Sequence, residues 1–370
     1  MNEEELRHRL ALHFLPGIGP VLSRALISYC GSIENIFNIK KSHLEKIPGI
    51  GRERAALIQK KGLFEKAEKE ILFMKKYGVK SLFYLDKEYP SRLKNCDDAP
   101  LMLFYKGTAD LNSERMIAIV GTRFITAYGK DITNILIEEL AKFKVVIISG
   151  LAYGVDVHAH KCAVHYNIPT IGVVAHGLDR IYPAEHKSTA EKMILNGGII
   201  TEYPSSTNPD RENFPARNRI VAGMCDAIVV IESAVKGGAL ITAELGNDYN
   251  RDVFAIPGRT TDHFSKGCNQ LIMKNKAMLF ENADHIAEIM NWDINEKVKS
   301  KKRRNQLELF STLNDQEKKL VEILKSNGQI TIDAIAIHAD LPVSNVSATL
   351  LHLEFAGVLR SLPGKVYELI

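Results

Sequence analysis

"IAIVGTRFITAYG", Ile117 to Gly129, joins an apolar run without polar alternation to a glycine turn and then to the start of a helical pattern. An uninterrupted run of this kind reads as a strand buried on both faces, and the turn after it as the entry to a crossover helix. The same unit recurs downstream. "MIAIV", "KVVIIS", "TIGVVA", "GIITEY", "DAIVVIE", "DVFAIP" and "AMLFE" alternate with helical stretches such as "GKDITNILIEELAKF". The expected fold class is therefore α/β, a doubly wound parallel sheet. In that architecture ligands sit beyond the carboxyl ends of the strands, so the loops after successive runs share one crevice.

Six loops are candidates for its rim: "GTR" from Gly121, "SGLAYGVD" from Ser149, "HGLDRIYP" from His176, "RENFPARNRI" from Arg211, "SAVKGGALITAE" from Ser233 and "PGRTTDHFSKGCNQLI" from Pro257. Glycines ahead of helices expose backbone donors, and helix N-termini add partial positive charge, so the rim is suited to anions. It lacks GxxxxGK[ST], GxGxxG and GxSxG, which argues against a Walker-type NTPase, a dinucleotide enzyme and a nucleophile-elbow hydrolase. His158, His160 and His165 form no metal set by helical spacing, because residues i and i+2 point apart; no metal and no cofactor are expected.

"RENFPARNRI" places Arg211, Phe214, Arg217, Asn218 and Arg219 within nine residues. Cations that track a backbone beside an aromatic face that accepts a base suit single-stranded nucleic acid. The alternative is that Phe214 and Ile220 are core and some of the arginines answer acids such as Glu202 and Glu212. On the first reading Arg123 is a two-pronged phosphate ligand at its strand-end turn.

The flanks differ in texture. "LPGIGPVLSRAL" from Leu15 and "IPGIGRERAALI" from Ile47 repeat one order, 32 residues apart, and resemble helix-hairpin-helix units. They read either as a duplex-backbone clamp using Arg24, Arg52 and Arg54, or as packing elements of a small helical module. After Trp292 the charged run "DINEKVKSKKRRNQ" reads as a linker, leading to a three-helix pattern with a terminal hairpin, expected to be a winged helix. Its third helix offers a groove only Ser344, Asn345, Ser347, Thr349 and His352, so protein docking or regulation is at least as natural there as duplex reading. The expected boundaries are 1–80 helical, 81–290 α/β, 291–310 basic linker and 311–370 winged helix.

With 370 residues, 45% hydrophobic and 25% charged, the chain can form two or three domains with real cores. Its net charge of +4 identifies no polyanion by itself. The N-terminus has no signal-peptide pattern and no run approaches about 18 apolar residues, so no membrane is expected. Five scattered cysteines without a CxxC pair fit a reducing cytoplasm.

The linked motifs "IAIVGTR", "ISGLAYGVDVHAH", "GLDRIYPAEH", "FPARNRIVAG", "ESAVKGGALITAELGNDYNRDVFAIPG" and "GCNQLI" together resemble the DNA-processing protein A (DprA/Smf) family. The resemblance implies an extended Rossmann-like domain between a helix-hairpin-helix or SAM-like domain and a winged helix. It implies a non-enzymatic, homodimeric protein that binds incoming single-stranded DNA during natural transformation, protects it and loads the RecA recombinase. By motif position, Arg123 becomes the central phosphate ligand with Gly121 and Thr122. Arg211, Phe214, Asn218 and Arg219 form a basic and aromatic pocket, and Lys236, Gly237, Gly238 and Thr242, with Asn269 and Gln270, complete the groove.

Two other readings remain. "KGGALITAE" also resembles the loop of Rossmann-like nucleoside-monophosphate phosphoribohydrolases, in which Glu244 and Arg219 would act on a glycosidic bond. Alternatively, the terminal modules make the protein a duplex-binding regulator.

Overall fold

The computed structural model describes residues 2–58, 62–292, 314–328, 330–356, 358–362 and 365–369. The chain divides into two units, Met1–Trp292 and Asp293–Ile370. All but the first two residues of the expected linker, 291–310, lie outside the described residues.

The larger unit is built on a nine-stranded sheet. In chain order its strands are β1 (Lys80–Phe83), β2 (Met102–Gly107), β3 (Met116–Val120), β4 (Val146–Ser149), β5 (Thr170–Val173), β6 (Gly198–Thr201), β7 (Ala227–Val230), β8 (Asp252–Ala255) and β9 (Met278–Leu279). Their spatial order is β1-β2-β6-β5-β4-β3-β7-β8-β9. Strands β3 to β9 are parallel neighbours, as the apolar runs predict. The sheet is nevertheless mixed, because β1 and β2 add antiparallel pairings at the β6 edge.

Alternation along each strand feeds two cores. Met116, Ala118 and Val120 of β3 face one apolar cluster, with Val221 and Ala243 from crossover helices. Ile117 and Ile119 face the other, with Leu136, Ala159 and Phe280. All five β3 residues are buried, which explains a strand sequence with no polar positions. The chain winds from β3 out to β6, then returns to place β7 on the opposite side of β3. This reversal opens a crevice at the carboxyl ends of β3 and β7.

The N-terminal helices form a third core that includes β1 and β2. Leu15, Ile18, Ile47 and Ile50 from the two hairpin repeats pack with Leu26, Ile71, Phe83, Met102 and Phe104. The repeats contribute to this core, and two of the three arginines set out for a clamp are engaged with carbonyls. Arg24 donates to the Asp97 carbonyl at 2.5 Å, and Arg54 to that of Gly49 at 2.5 Å. Arg52 is exposed.

The smaller unit carries helices Asp315–Asn327, Ile332–Ala339 and Val343–Phe355 with a three-stranded sheet, β10 (Ile330–Thr331), β11 (Leu359–Leu362) and β12 (Val366–Leu369), in the order β10-β12-β11. This is a winged helix with its own core of Leu320, Leu324, Ile335, Val346, Leu350 and Leu353. On its third helix Ser344, Asn345 and Ser347 are exposed, while His352 hydrogen-bonds Glu317 at 2.7 Å. Among the described residues no single helix is long and apolar enough to cross a membrane.

Candidate nucleic-acid interface

A cleft of about 940 Å³ opens where the sheet reverses, and every one of the six quoted loops contributes to its wall. Its first side is the GTR turn, pinned at both backbone groups of Thr122. The Thr122 N–H donates to the Glu232 carbonyl at 2.7 Å, and its carbonyl accepts from the Val155 N–H at 3.1 Å. Gly154 makes this approach possible. It has φ +80°, and a Cβ there would lie 2.1 Å from the Thr122 oxygen. The helix Ala127–Leu140 then begins at Thr126, whose N–H and hydroxyl donate to the buried Glu232 carboxylate at 2.9 and 2.5 Å. Arg123 is left exposed on a fixed turn, with its guanidinium 5.6 Å from the Phe214 ring centroid.

Helix Asn213–Met224 forms the opposite wall. Phe214, Arg217, Asn218 and Val221 all line the cleft, the spacing of a single helical face. Phe214 is half-buried at the rim, whereas Arg217 is only 5% exposed and lies at the floor. Arg217 donates to the Val173 carbonyl and, at 3.2 Å, to Asn218 Oδ1. Asp156 also lies there, 8% exposed, accepting from the Ala152 N–H at 3.4 Å. Burial pushes the Asp156 carboxyl above its ordinary range while Arg217 pulls it back. Burial likewise lowers Arg217, and Asp156 opposes that. The floor therefore holds opposite charges that compensate one another, and the exposed cations stand at the mouth.

The third side begins helix Gly238–Asp248, whose first residue follows Gly237 with no side-chain cap. Gly237, Gly238 and Thr242 line the cleft, Lys236 is exposed beside them, and Arg211 is exposed across the opening. An uncapped helix N-terminus beside two cations is an anion-binding arrangement.

The structure thus brings Gly121, Thr122, Arg123, Arg211, Phe214, Arg217, Asn218, Lys236, Gly237, Gly238 and Thr242 to one cleft, but takes three expected residues elsewhere. Arg219 turns away to pair with Glu202 and to donate to the Asp98 carbonyl at 2.6 Å. That is the alternative reading set out for an arginine of this cluster. Two residues after Arg217 on a helix, it falls on the opposite side. Asn269 clamps Gly258, accepting from its N–H at 3.1 Å and donating to its carbonyl at 2.8 Å. Gln270, next on helix Lys266–Met273, is half-buried and off the wall. Glu244 also lies off the cleft, exposed and paired with Lys276 at 3.0 Å. Neither of the two residues of the phosphoribohydrolase reading lines the cleft.

The sequence reading missed the rim aromatics. Phe124, Tyr153 and Tyr182 line the cleft at 75%, 45% and 47% exposure. Phe264 stacks against Phe124 at 6.3 Å, and Tyr182 lies 6.1 Å from Phe214. The signal was available in "GTRF", "LAYG", "RIYP" and "DHF", each with an aromatic within or next to a rim motif. Of the three histidines in the second loop's helix, His160 is buried between Thr170 Oγ1 at 2.6 Å and the Gly150 carbonyl at 2.7 Å. Burial lowers its pKa to about 4.

Comparisons with known proteins agree in all three regions. Residues 80–291 match the family model of DNA recombination-mediator protein A, 310–365 that of the DprA winged helix domain, and 10–61 that of the SAM-like helix-hairpin-helix tandem. Protein Smf of Synechocystis is 30% identical over 401 residues, covering 100% of both chains. The X-ray structure of DNA processing protein A from Streptococcus pneumoniae is similar with a TM-score of 0.63 and 29% identity, over 76% of this chain and 97% of that one. DNA processing protein A from Helicobacter pylori, whose structure describes a single-stranded DNA binding mode, is similar with a TM-score of 0.53 and 31% identity, over 58% of this chain and 96% of that one. From hairpin tandem to winged helix, the chain belongs to the DNA recombination-mediator protein A, or DprA/Smf, family.

Proposed function

We propose that this chain binds single-stranded DNA in the cleft without demanding a sequence, shields the strand, and passes it to the RecA recombinase during natural transformation. It does so in the cytoplasm as a non-enzymatic homodimer. The observation that carries this reading is the layered chemistry of the cleft. Arg123, Arg211, Lys236 and an uncapped helix N-terminus stand at the mouth, aromatic faces lie between them, and the buried charges below are compensated. Cations hold phosphates whatever the base, and each base has a face for an aromatic ring. Sequence tolerance has a local cause as well. The Asn218 amide, a group suited to reading base edges, is engaged with Arg217 and with the Gly238 carbonyl. For the homodimer, supporting features are the outer edge of β9, where Met278 and Leu279 are partly exposed, and nearby Met273 at 74% exposure.

The test is fluorescence anisotropy with labelled single strands of several sequences and a matching duplex, across a salt series, for wild type and Arg123→Ala. Similar affinities for all single strands, largely lost in Arg123→Ala, are expected. Binding confined to duplex, or unaffected by Arg123→Ala, overturns the reading. Addition of RecA to the wild-type complex then tests loading, read as faster filament formation on the covered strand.

A further inference from the structure

Helix Leu63–Tyr77 buries Leu63, Ala67, Ile71 and Met74 along one stripe, and Glu70 falls in that stripe at 4% exposure. A carboxylate among apolar neighbours costs desolvation, and only good hydrogen bonds offset it. Both Glu70 oxygens lie 3.1 Å from the Ser205 N–H, and Oε2 accepts the Ser205 hydroxyl at 2.6 Å. Burial raises the Glu70 pKa against these bonds.

Ser205 belongs to the segment between β6 and helix Asn213–Met224, which reaches the cleft at Pro209 and Arg211. Its other side is held by the loop after β5. The Ser206 N–H donates to Asp179 at 2.8 Å, the Gly177 N–H to the Thr207 carbonyl at 3.1 Å, and Arg180 to Asn208 at 2.7 Å. The segment is thus gripped between the helical module and a cleft loop immediately before it delivers a cation.

We infer that Glu70 is a positioning residue for the DNA strand: through Ser205 the helical module sets where Pro209 and Arg211 enter the cleft. Single-strand affinity then depends on a contact made outside the DNA path. This rests on the cleft being the DNA site.

The test compares Glu70→Leu, Glu70→Gln, Arg211→Ala, Arg123→Ala and the Glu70→Leu/Arg211→Ala pair, by thermal melting and by anisotropy with oligothymidylate. Leucine restores the apolar stripe but leaves the Ser205 N–H and hydroxyl without their acceptor; the two effects oppose each other, so Glu70→Leu is expected to melt close to the wild-type temperature while binding about fivefold more weakly. Glutamine keeps an acceptor for the Ser205 N–H and should bind within about twofold of wild type. In the Arg211→Ala background Glu70→Leu should add nothing, because the group it positions is gone. A purely stabilising residue gives the opposite pattern: lower melting and unchanged affinity. If Glu70→Leu fails to fold, Ser205→Ala removes the 2.6 Å bond alone and should weaken binding with faster tryptic cleavage after Arg211. Wild-type affinity in the folded Glu70 or Ser205 variant, while Arg123→Ala and Arg211→Ala are weakened, overturns the inference and leaves the DNA site standing. Unchanged affinity in Arg123→Ala overturns the DNA site and the inference with it.

Discussion

The guanidinium of Arg123, on the turn after β3, lies over the ring of Phe214, on the helix that enters β7. The two come from opposite walls of the cleft, so the contact spans its mouth. A guanidinium attracted to an aromatic face still has a fork of N–H donors in its own plane, suited to gripping a phosphate by two of them.

Replacing Arg123 by alanine should weaken binding to every single strand alike and reduce the slope of log K against log salt by about 0.7, one phosphate's share on a single strand. Salt titrations by anisotropy check this, and an unchanged slope removes Arg123 from the phosphate path.

Phe214→Ala should weaken binding both by removing a stacking face and by releasing Arg123. The double variant Arg123→Ala/Phe214→Ala should then lose less than the two single losses combined. Strict additivity in the cycle would show that the two groups act separately.

Arg217 predicts a stability effect. Its loss leaves Asp156 buried without its compensating charge and the Val173 carbonyl without a donor, at a cost of about 3 to 5 kcal/mol. Denaturant unfolding of Arg217→Ala against Arg123→Ala, which removes only an exposed side chain, separates floor from mouth.

Gly154→Ala should disorder the GTR turn, since the added carbon meets the Thr122 carbonyl in a backbone conformation that alanine resists. Lost single-strand binding with retained circular dichroism is the expected result.

His13 and His160 are each held by burial at a pKa of about 4. Both are neutral in the folded state where the unfolded chain, with histidine near 6.5, already takes up protons. Their contribution is therefore complete above pH 6.5 and falls as the pH drops toward 4, at about 1.4 kcal/mol per pH unit for each. Unfolding measured between pH 7 and 5.5 should have a shallower pH slope in His13→Gln and in His160→Gln; an identical slope in both would contradict this.

Much of the fold was legible because the strands from β3 onward are apolar on both faces and separated by crossover helices. Strands β1 and β2 were not, since no crossover helix introduces them as part of that rhythm, although "LMLFYKG" has the same texture. At the site, motif position treated "FPARNR" as a block, whereas a helix separates its members. Phe214, Arg217 and Asn218 share the cleft face and Arg219 does not. The burial of Arg217 and Asp156 was not legible either, because it depends on how closely three loops from distant parts of the chain converge.

The backbone of Thr122 is held by the Glu232 carbonyl, and β3 is paired on one side by β4 and on the other by β7. Residues near 120 thus depend on residues near 230 to complete the fixing of their turn, a contact of long sequence separation. A chain that ends at β6 has the Val155 N–H to hold the Thr122 carbonyl, but it lacks the Glu232 carbonyl, the helix that carries Phe214 and so the completed cleft. The cleft proposed to hold DNA is therefore complete only when the sheet's second half has docked.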